Sequence, residues 1–292
     1  MATMTRCEPF RDSLPLLARP PELRARAATD GYLLLRGLLP RDDVLSMRAL
    51  VLAHCRSAGW TDVEAPMLSG RVLAGSPPIL EGQSEAWACF YRLLYSRREL
   101  HAFNQHPALL AACAALFDAP VLAHPRLIAR VMFPGTARWT TPPHQDCFYI
   151  GGTAQTWTAW IPLGDCPAEL GGLAIAAGSH RLGPQPVKPA EGAGGHGVAA
   201  DESLRWVADD FSAGDVLLFH SWTIHQARDN RSEDRLRLSC DFRYQDAREP
   251  VSADSLHPHY RGPGMEWSDV HAAWPADEPL RDYWQRMALQ VV

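Results

Sequence analysis

From about residue 121 the chain breaks into short apolar runs, "LIARVMF", "TWTAWIPL", "LAIAAG", "DVLLFH" and "LRLSCDFRY", separated by Gly, Pro, Asp and Asn. That punctuation predicts several short strands closing into a sandwich or barrel. The preceding third reads differently. Residues 31–36, "GYLLLR", predict a buried strand. Pro40 then suits the first turn of a helix that carries Val44, Met47, Val51 and Cys55 at helical spacing. Residues 85–116 predict two helices parted near His106-Pro107, and the Pro- and Gly-rich segment 60–83 predicts a loop or lid. The polar, glycine-rich stretch 183–202 predicts a mobile excursion over one end of the β region. A last helix is predicted near 279–290, with Pro279 in its first turn. There is no internal repeat and no separating linker. The expectation is one domain over 1–292, mostly helical at 1–120, with a β core at 121–245 and an extension at 246–292.

Composition narrows the partners. The chain is 47% hydrophobic and 21% charged, as soluble enzymes are. Its net charge of −5, with no long basic block, argues against nucleic acid as the main partner. The seven cysteines are odd in number and form no C-x-x-C pair, which speaks against a disulfide framework or a structural zinc site and for a reducing cytosol. The N-terminus lacks the apolar core of a signal peptide, and no stretch approaches the roughly 18–20 apolar residues of a membrane span. The expectation is a soluble, cytoplasmic protein acting on a small molecule.

The chemistry is concentrated in two places. In "PPHQDCFYIGG", His144 and Asp146 stand one residue apart, and on a strand such a pair shares one face. A third ligand belongs on a later strand, where "GDVLLFHSWTIHQARDNRSEDRLRLSCDFRY" (214–244) offers His220 and His225. His220 ends an apolar run and reads as a packed strand residue, whereas His225 leads into a polar turn. Two histidines and one carboxylate form the facial triad of non-haem Fe(II) oxygenases. Ten residues after His225 stands Arg235, on a strand where Arg235, Arg237 and Ser239 share a face. An arginine there supplies the bidentate fork that a carboxylate needs, with Arg237 as the alternative.

His144-Gln145-Asp146, "AWIPLGDCPAELGGLAIAAGSHRLG" (159–183), "HQARDNRS" with Arg235, and "DGYLLLRGLLPRDDV" together resemble the phytanoyl-CoA dioxygenase family over most of residues 30–245. The resemblance implies a double-stranded β-helix (jelly-roll, cupin-like) core within a mainly β fold with flanking helices. It implies Fe(II) held by His144, Asp146 and His225, with 2-oxoglutarate and O2 as co-substrates. Arg235 takes the position that grips the distal carboxylate of 2-oxoglutarate, and Trp160 that of an aromatic lining its pocket. Gln145, between the ligands, is a cofactor contact or a support. Phe148, Tyr149 and Trp222 flank the ligands and are candidate substrate contacts. Ala177 replaces the proline of the family's "PGSH" turn, and Leu170 stands where Asn is usual. Relatives that halogenate lack the triad carboxylate, so Asp146 points to hydroxylation, although desaturation, cyclisation and epimerisation use the same triad. A non-catalytic β-helix binding protein is the reading from another class, and the filled ligand positions count against it. Tailoring of a secondary metabolite is the expected role. Arg92 reads as a helix-surface residue and "HPHY" (257–260) as a surface turn.

Overall fold

The computed structural model describes residues 7–200, 203–259 and 265–292. In chain order its elements are α1 (Pro20–Asp30), β1 (Tyr32–Leu35), α2 (Arg41–Ser57), α3 (Glu85–Tyr95), α4 (Arg98–Asn104), α5 (Pro107–Phe117), β2 (Val121–Ala123), β3 (Ile128–Met132) and α6 (Cys147–Ile150). There follow β4 (Trp157–Pro162), β5 (Leu173–Ala176), β6 (Val187–Pro189), β7 (His196–Val198), β8 (Trp206–Val207), β9 (Val216–His220), β10 (His225–Ala227), β11 (Arg237–Asp246) and α7 (Trp267–Val270). The larger sheet has the order β1-β9-β4-β11-β2, with β3 also pairing on β11. A smaller sheet runs β10-β5-β8, and β6 and β7 form a hairpin. All these pairings are antiparallel.

Period-two alternation explains how the layers stack. On one face of the larger sheet, Leu33, Leu35, Ala159, Val216, Leu218, Leu238, Cys240 and Phe242 pack against the helices through Leu23, Val44, Val51, Phe90 and Leu109. On the other face, Tyr32, Leu34, Trp160, Leu217 and Phe219 meet Leu173, Ile175, Val207 and Ala227 of the smaller sheet. A sheet covered on both faces explains the unbroken apolar runs read from the sequence. Truncating a residue of this layer such as Leu218 to Ala costs about 2–5 kcal/mol. The two facing sheets are the expected jelly roll. Strand β11 departs from the pattern. Its inner face carries Arg237, Ser239, Asp241, Arg243 and Gln245, none more than 8% exposed.

The predicted strand at 31–36 and the helix with buried Val44, Met47, Val51 and Cys55 are present. Three differences have local causes. The region 85–116 holds three helices, not two, because Arg97 adopts an extended conformation (φ −76°, ψ 117°) and the His101 ring takes up the freed carbonyl of Tyr95, at 2.7 Å. No helix spans 279–290. Asp282 sits in the left-handed region (φ 48°), a single 3-10 turn follows over Tyr283–Arg286, and the chain ends in a parallel bridge between Val251 and Val291. The 183–202 excursion, whose residues 201–202 lie outside the described ones, is the β6–β7 hairpin packed on the segment before His144. Val198 N–H bonds to the Pro143 carbonyl at 2.8 Å. Gly192 (φ +123°) passes so near Thr140 that a Cβ would lie 2.2 Å from its carbonyl oxygen. Segment 60–83 is irregular, as expected, and is anchored by buried Trp60 against Phe90 and by the Val72 amide on the Asp234 carbonyl. Among the described residues no helix is long and apolar enough to cross a membrane.

Candidate metal centre

Backbone pairing sets the site. His144 and His225 exchange both amide hydrogen bonds, at 2.9 and 3.0 Å, so they begin as a cross-strand pair with ring centroids 4.1 Å apart. The strand carrying His144 ends there. Asp146 is already helical (φ −69°, ψ −27°), and its carbonyl accepts the amides of Tyr149 and Ile150 to open α6. The two-residue spacing therefore works through a strand-to-helix corner rather than along one strand. The outcome is convergence: Asp146 Oδ1 lies 3.7 Å from His144 Nε2 and 3.9 Å from His225 Nε2.

Each ligand atom is aimed by a second bond. His144 Nδ1 contacts the Pro142 carbonyl at 2.8 Å and His225 Nδ1 the Thr223 carbonyl at 3.0 Å. A carbonyl only accepts, so both Nδ1 atoms carry the proton and both Nε2 lone pairs point into the site. Asp146 Oδ2 accepts the Thr158 hydroxyl and faces Arg243 at 3.8 Å, which leaves Oδ1 toward the imidazoles. Burial, reinforced by His225, pushes His144 down to about 3. Burial likewise lowers His225. For Asp146, burial raises the pKa, but Arg243, the two imidazoles and the Thr158 hydroxyl outweigh it and hold the carboxyl below its usual range. At neutral pH the site holds two neutral imidazoles and a carboxylate, the protonation state that ligation requires.

The three ligand atoms all lie within 4.8 Å of one another. Ligands on one face of an octahedral ion that holds oxygen or nitrogen at about 2.1 Å lie roughly 3 Å apart, so the three atoms would draw together by about 1 Å or more around an ion.

Two cavities adjoin the triad. The smaller, of about 30 Å³, lies between the sheets against Trp160, Phe219, Leu173 and Asp241. The larger, of about 350 Å³, is lined by Tyr149, Ile150, Ala193, Arg126 and His259 among others. His144, Asp146, Arg130 and Arg243 border both.

Of the residues singled out in the sequence, His144, Asp146 and His225 come together, Trp160 lines the smaller cavity and Tyr149 the larger. Arg235 does not reach either. Asn230 grips the turn through the Ser232 amide and hydroxyl and through the Arg235 carbonyl. The Arg235 side chain is thereby left outside, 42% exposed and paired with Glu169. Arg237 lies on the inner face of β11 instead, beside Trp160 of the smaller cavity, although it too is not among the residues lining either cavity. It is 2% exposed, bonds to Ser239 Oγ at 3.1 Å, and lies 6.0 Å from the centre of the Trp160 ring. Among the described residues it has no carboxylate partner, and Arg237 Nε and Trp160 Nε1 are buried without a hydrogen bond.

Gln145 faces away from both cavities, as its place between the ligands requires. Its amide ties the Gly183 and Trp222 carbonyls and the Gln185 amide, bonds of the supporting kind. Phe148 is 52% exposed and rests on His196, and Trp222 packs by His220; neither is among the residues lining these two cavities. His220 is a packed residue between Trp157 and His180. Arg92 is exposed, as expected. The "HPHY" reading is corrected, since Pro258 and His259 line the larger cavity; Tyr260 lies outside the described residues. The sequence reading passed over Arg126, Arg130, Thr158, Asp241 and Arg243. For Asp241 and Arg243 a signal existed, the polar residue at every second position from 237 to 245.

The sequence profile of the phytanoyl-CoA dioxygenase family matches residues 27–238. Over 167 residues the chain is 35% identical to a 1-deoxypentalenic acid 11-beta-hydroxylase of Streptomyces arenae, a match spanning 52% of this chain and 59% of that protein. It is 28% identical over 264 residues to the protein of the same name from Streptomyces exfoliatus, across 85% of this chain and 89% of that one. Among solved structures it is similar to SnoN, a non-heme alpha ketoglutarate dependent epimerase from nogalamycin biosynthesis, with a TM-score of 0.56 and 25% identity over 80% of this chain and 85% of that one.

Proposed function

The chain belongs to the phytanoyl-CoA dioxygenase family, and from that premise we propose that it is a non-haem Fe(II)/2-oxoglutarate-dependent dioxygenase that hydroxylates a C–H bond of a small molecule in secondary metabolism. The observation that carries this is the buried convergence of two aimed Nε2 lone pairs and Asp146 Oδ1 beside two cavities. That donor set fits Fe(II), because three protein ligands on one side of an octahedral ion leave the remaining positions for co-substrates. When bound, Fe(II) with 2-oxoglutarate and O2 supplies the oxidising power for C–H hydroxylation.

The chain's own residues do the rest. His144, His225 and Asp146 would hold the ion, and Thr158 and Arg243 keep the second carboxylate oxygen from swinging in. Arg237, Ser239 and Trp160 would receive the distal carboxylate of 2-oxoglutarate. A buried guanidinium without an acid partner and an unbonded indole N–H are donors that an anionic ligand satisfies. The larger cavity would take the substrate, its Ile128, Ile150 and Pro258 walls excluding water from the reacting face. Both Streptomyces relatives are named as hydroxylases, which ranks hydroxylation first. SnoN is named as an epimerase, which keeps epimerisation as the second outcome at the same site.

The test is anaerobic titration of the metal-free chain with Fe(II) and 2-oxoglutarate, followed by CO2 release and transfer of 18O from O2 into product. Stoichiometric iron binding that depends on His144 and Asp146 is expected, with 2-oxoglutarate binding only to the loaded protein. Iron binding that survives His144→Ala, or no 2-oxoglutarate binding by the loaded wild type, would refute the proposal.

A further inference from the structure

Asp146 is held at two levels. The Thr158 hydroxyl and Arg243 grip its Oδ2, but its backbone is placed by α6, the turn that the Asp146 carbonyl opens. Four residues do not sustain a helix by themselves, so the ends of α6 need partners. At the front, the Cys147 amide bonds to the Ser221 carbonyl at 3.1 Å. At the back, the Ile150 carbonyl is left over by so short a helix and accepts the Ser255 hydroxyl at 2.9 Å, across 105 positions of the chain. Ile150 and Ser255 are 6% and 2% exposed, and both border the larger cavity.

Ser255 is itself seated from behind. Gly152 (φ +68°) lets the chain leaving α6 pass so near that a Cβ would lie 2.7 Å from the Ser252 amide nitrogen and 2.9 Å from the Pro250 carbonyl oxygen. The Thr153 amide bonds to that carbonyl at 3.0 Å, and the Val251 and Ala253 amides reach the Gln290 and Val292 carbonyls, each at 2.9 Å. Trp267 Nε1 donates to the Leu256 carbonyl at 2.8 Å. The stretch 250–256 is therefore a braced wall, and it lies beyond residues 27–238, which the family profile matches.

Resting on the dioxygenase reading above, we infer that Ser255 is a positioning residue for the metal centre: its hydroxyl holds the end of α6, and through α6 it fixes where the Asp146 carboxylate meets the two imidazoles. Leaving the buried Ile150 carbonyl unpaired shifts the opening equilibrium of α6 by roughly 5- to 150-fold.

The test is titration of Co(II) under nitrogen, with the visible absorption of the bound ion recorded, for wild type, Ser255→Ala, Ser255→Thr and Leu109→Ala. Leu109 is a fully buried residue of α5 in the helical layer, so its truncation lowers stability without touching α6. Exchange of the Tyr149, Ile150 and Gly151 amides, which bond to the Asp146 and Cys147 carbonyls, is followed in the metal-free proteins. Ser255→Ala is expected to raise the Co(II) dissociation constant about threefold or more, to change the absorption of the bound ion, and to speed those three amides by about fivefold or more. Ser255→Thr keeps the hydroxyl and should return toward wild type, and Leu109→Ala should lower the urea midpoint with neither metal effect. Unchanged Co(II) affinity and absorption in Ser255→Ala, the same changes in Leu109→Ala, or no return in Ser255→Thr would overturn the inference. A wild type that fails to bind Co(II) refutes the dioxygenase reading instead, and the exchange comparison on the metal-free chain then decides whether Ser255 holds α6.

Discussion

Replacing Arg237 by Leu removes a guanidinium that is 2% exposed, has no carboxylate partner among the described residues and reaches Ser239 at 3.1 Å. Two opposite effects follow. In the metal-free chain the buried charge costs desolvation with no ion pair to offset it, so an apolar residue of similar bulk is neutral or stabilising by up to about 4 kcal/mol. In the loaded chain the variant loses a charge-assisted, desolvated contact to a carboxylate, which costs roughly 2–5 kcal/mol. At about 1.4 kcal/mol per decade that is roughly a 30- to 4000-fold larger dissociation constant for 2-oxoglutarate. Arg235→Leu is the control. Its pair with Glu169 is 42% and 54% exposed, and such pairs are worth about 0–1 kcal/mol with no route to the cavity. The assay is calorimetric titration of 2-oxoglutarate into the Co(II)-loaded wild type and both variants, with urea midpoints of the metal-free proteins alongside. A weakened 2-oxoglutarate affinity in Arg235→Leu and an unchanged one in Arg237→Leu would show that the register of β11 has been misassigned. A large loss of stability in metal-free Arg237→Leu would show that the guanidinium is satisfied without a ligand.

Asp146→Ala and His225→Ala should each lose Fe(II) and activity while folding normally, whereas His220→Ala should lose about 2–4 kcal/mol of stability and keep the metal; equilibrium dialysis for iron beside urea unfolding separates the two. Glu81→Gln should free the 76–84 stretch, because the bidentate bond to Arg130 ties that loop to the cavity wall. Hydrogen exchange faster in that stretch than in wild type, with unchanged Fe(II) affinity, is the expected reading, and equal exchange counts against the tie. Acid should destabilise the chain through its buried histidines. His101 and His124 are each pushed down to about 4, chiefly by burial. The unfolded chain binds their protons below about 6.5 and the folded one does not, so stability is whole above 6.5 and falls as pH drops toward 4. Each group contributes on the order of 3 kcal/mol over that window. A His101→Gln variant with an acid limb as steep as wild type, by urea midpoints from pH 7.5 to 4.5, would remove His101 from that account.

The sequence by itself determined the elements whose signals are local. Short apolar runs and recurrent turn residues announced the strands, Pro40 and the spacing of Val44 to Cys55 announced α2, and the family resemblance carried by the types and order of His144, Asp146 and His225 announced the triad. The elements are legible because side-chain period belongs to neighbouring residues, and the triad because its residue types keep a family's order along the chain. Spacing counts did not decide which arginine enters the barrel. Asn230 and Ser232 fix the turn before β11, and pairing with Met132 starts that strand at Arg237, so Arg235 ends outside by two residues. The fate of Gln145, the placing of Arg126, Arg130 and His259 around the larger cavity, and the break of α3 from α4 were likewise decided by partners distant in sequence. Which face of a strand meets a cavity depends on pairing register and on what packs behind it, and both are set only when the two sheets close on each other.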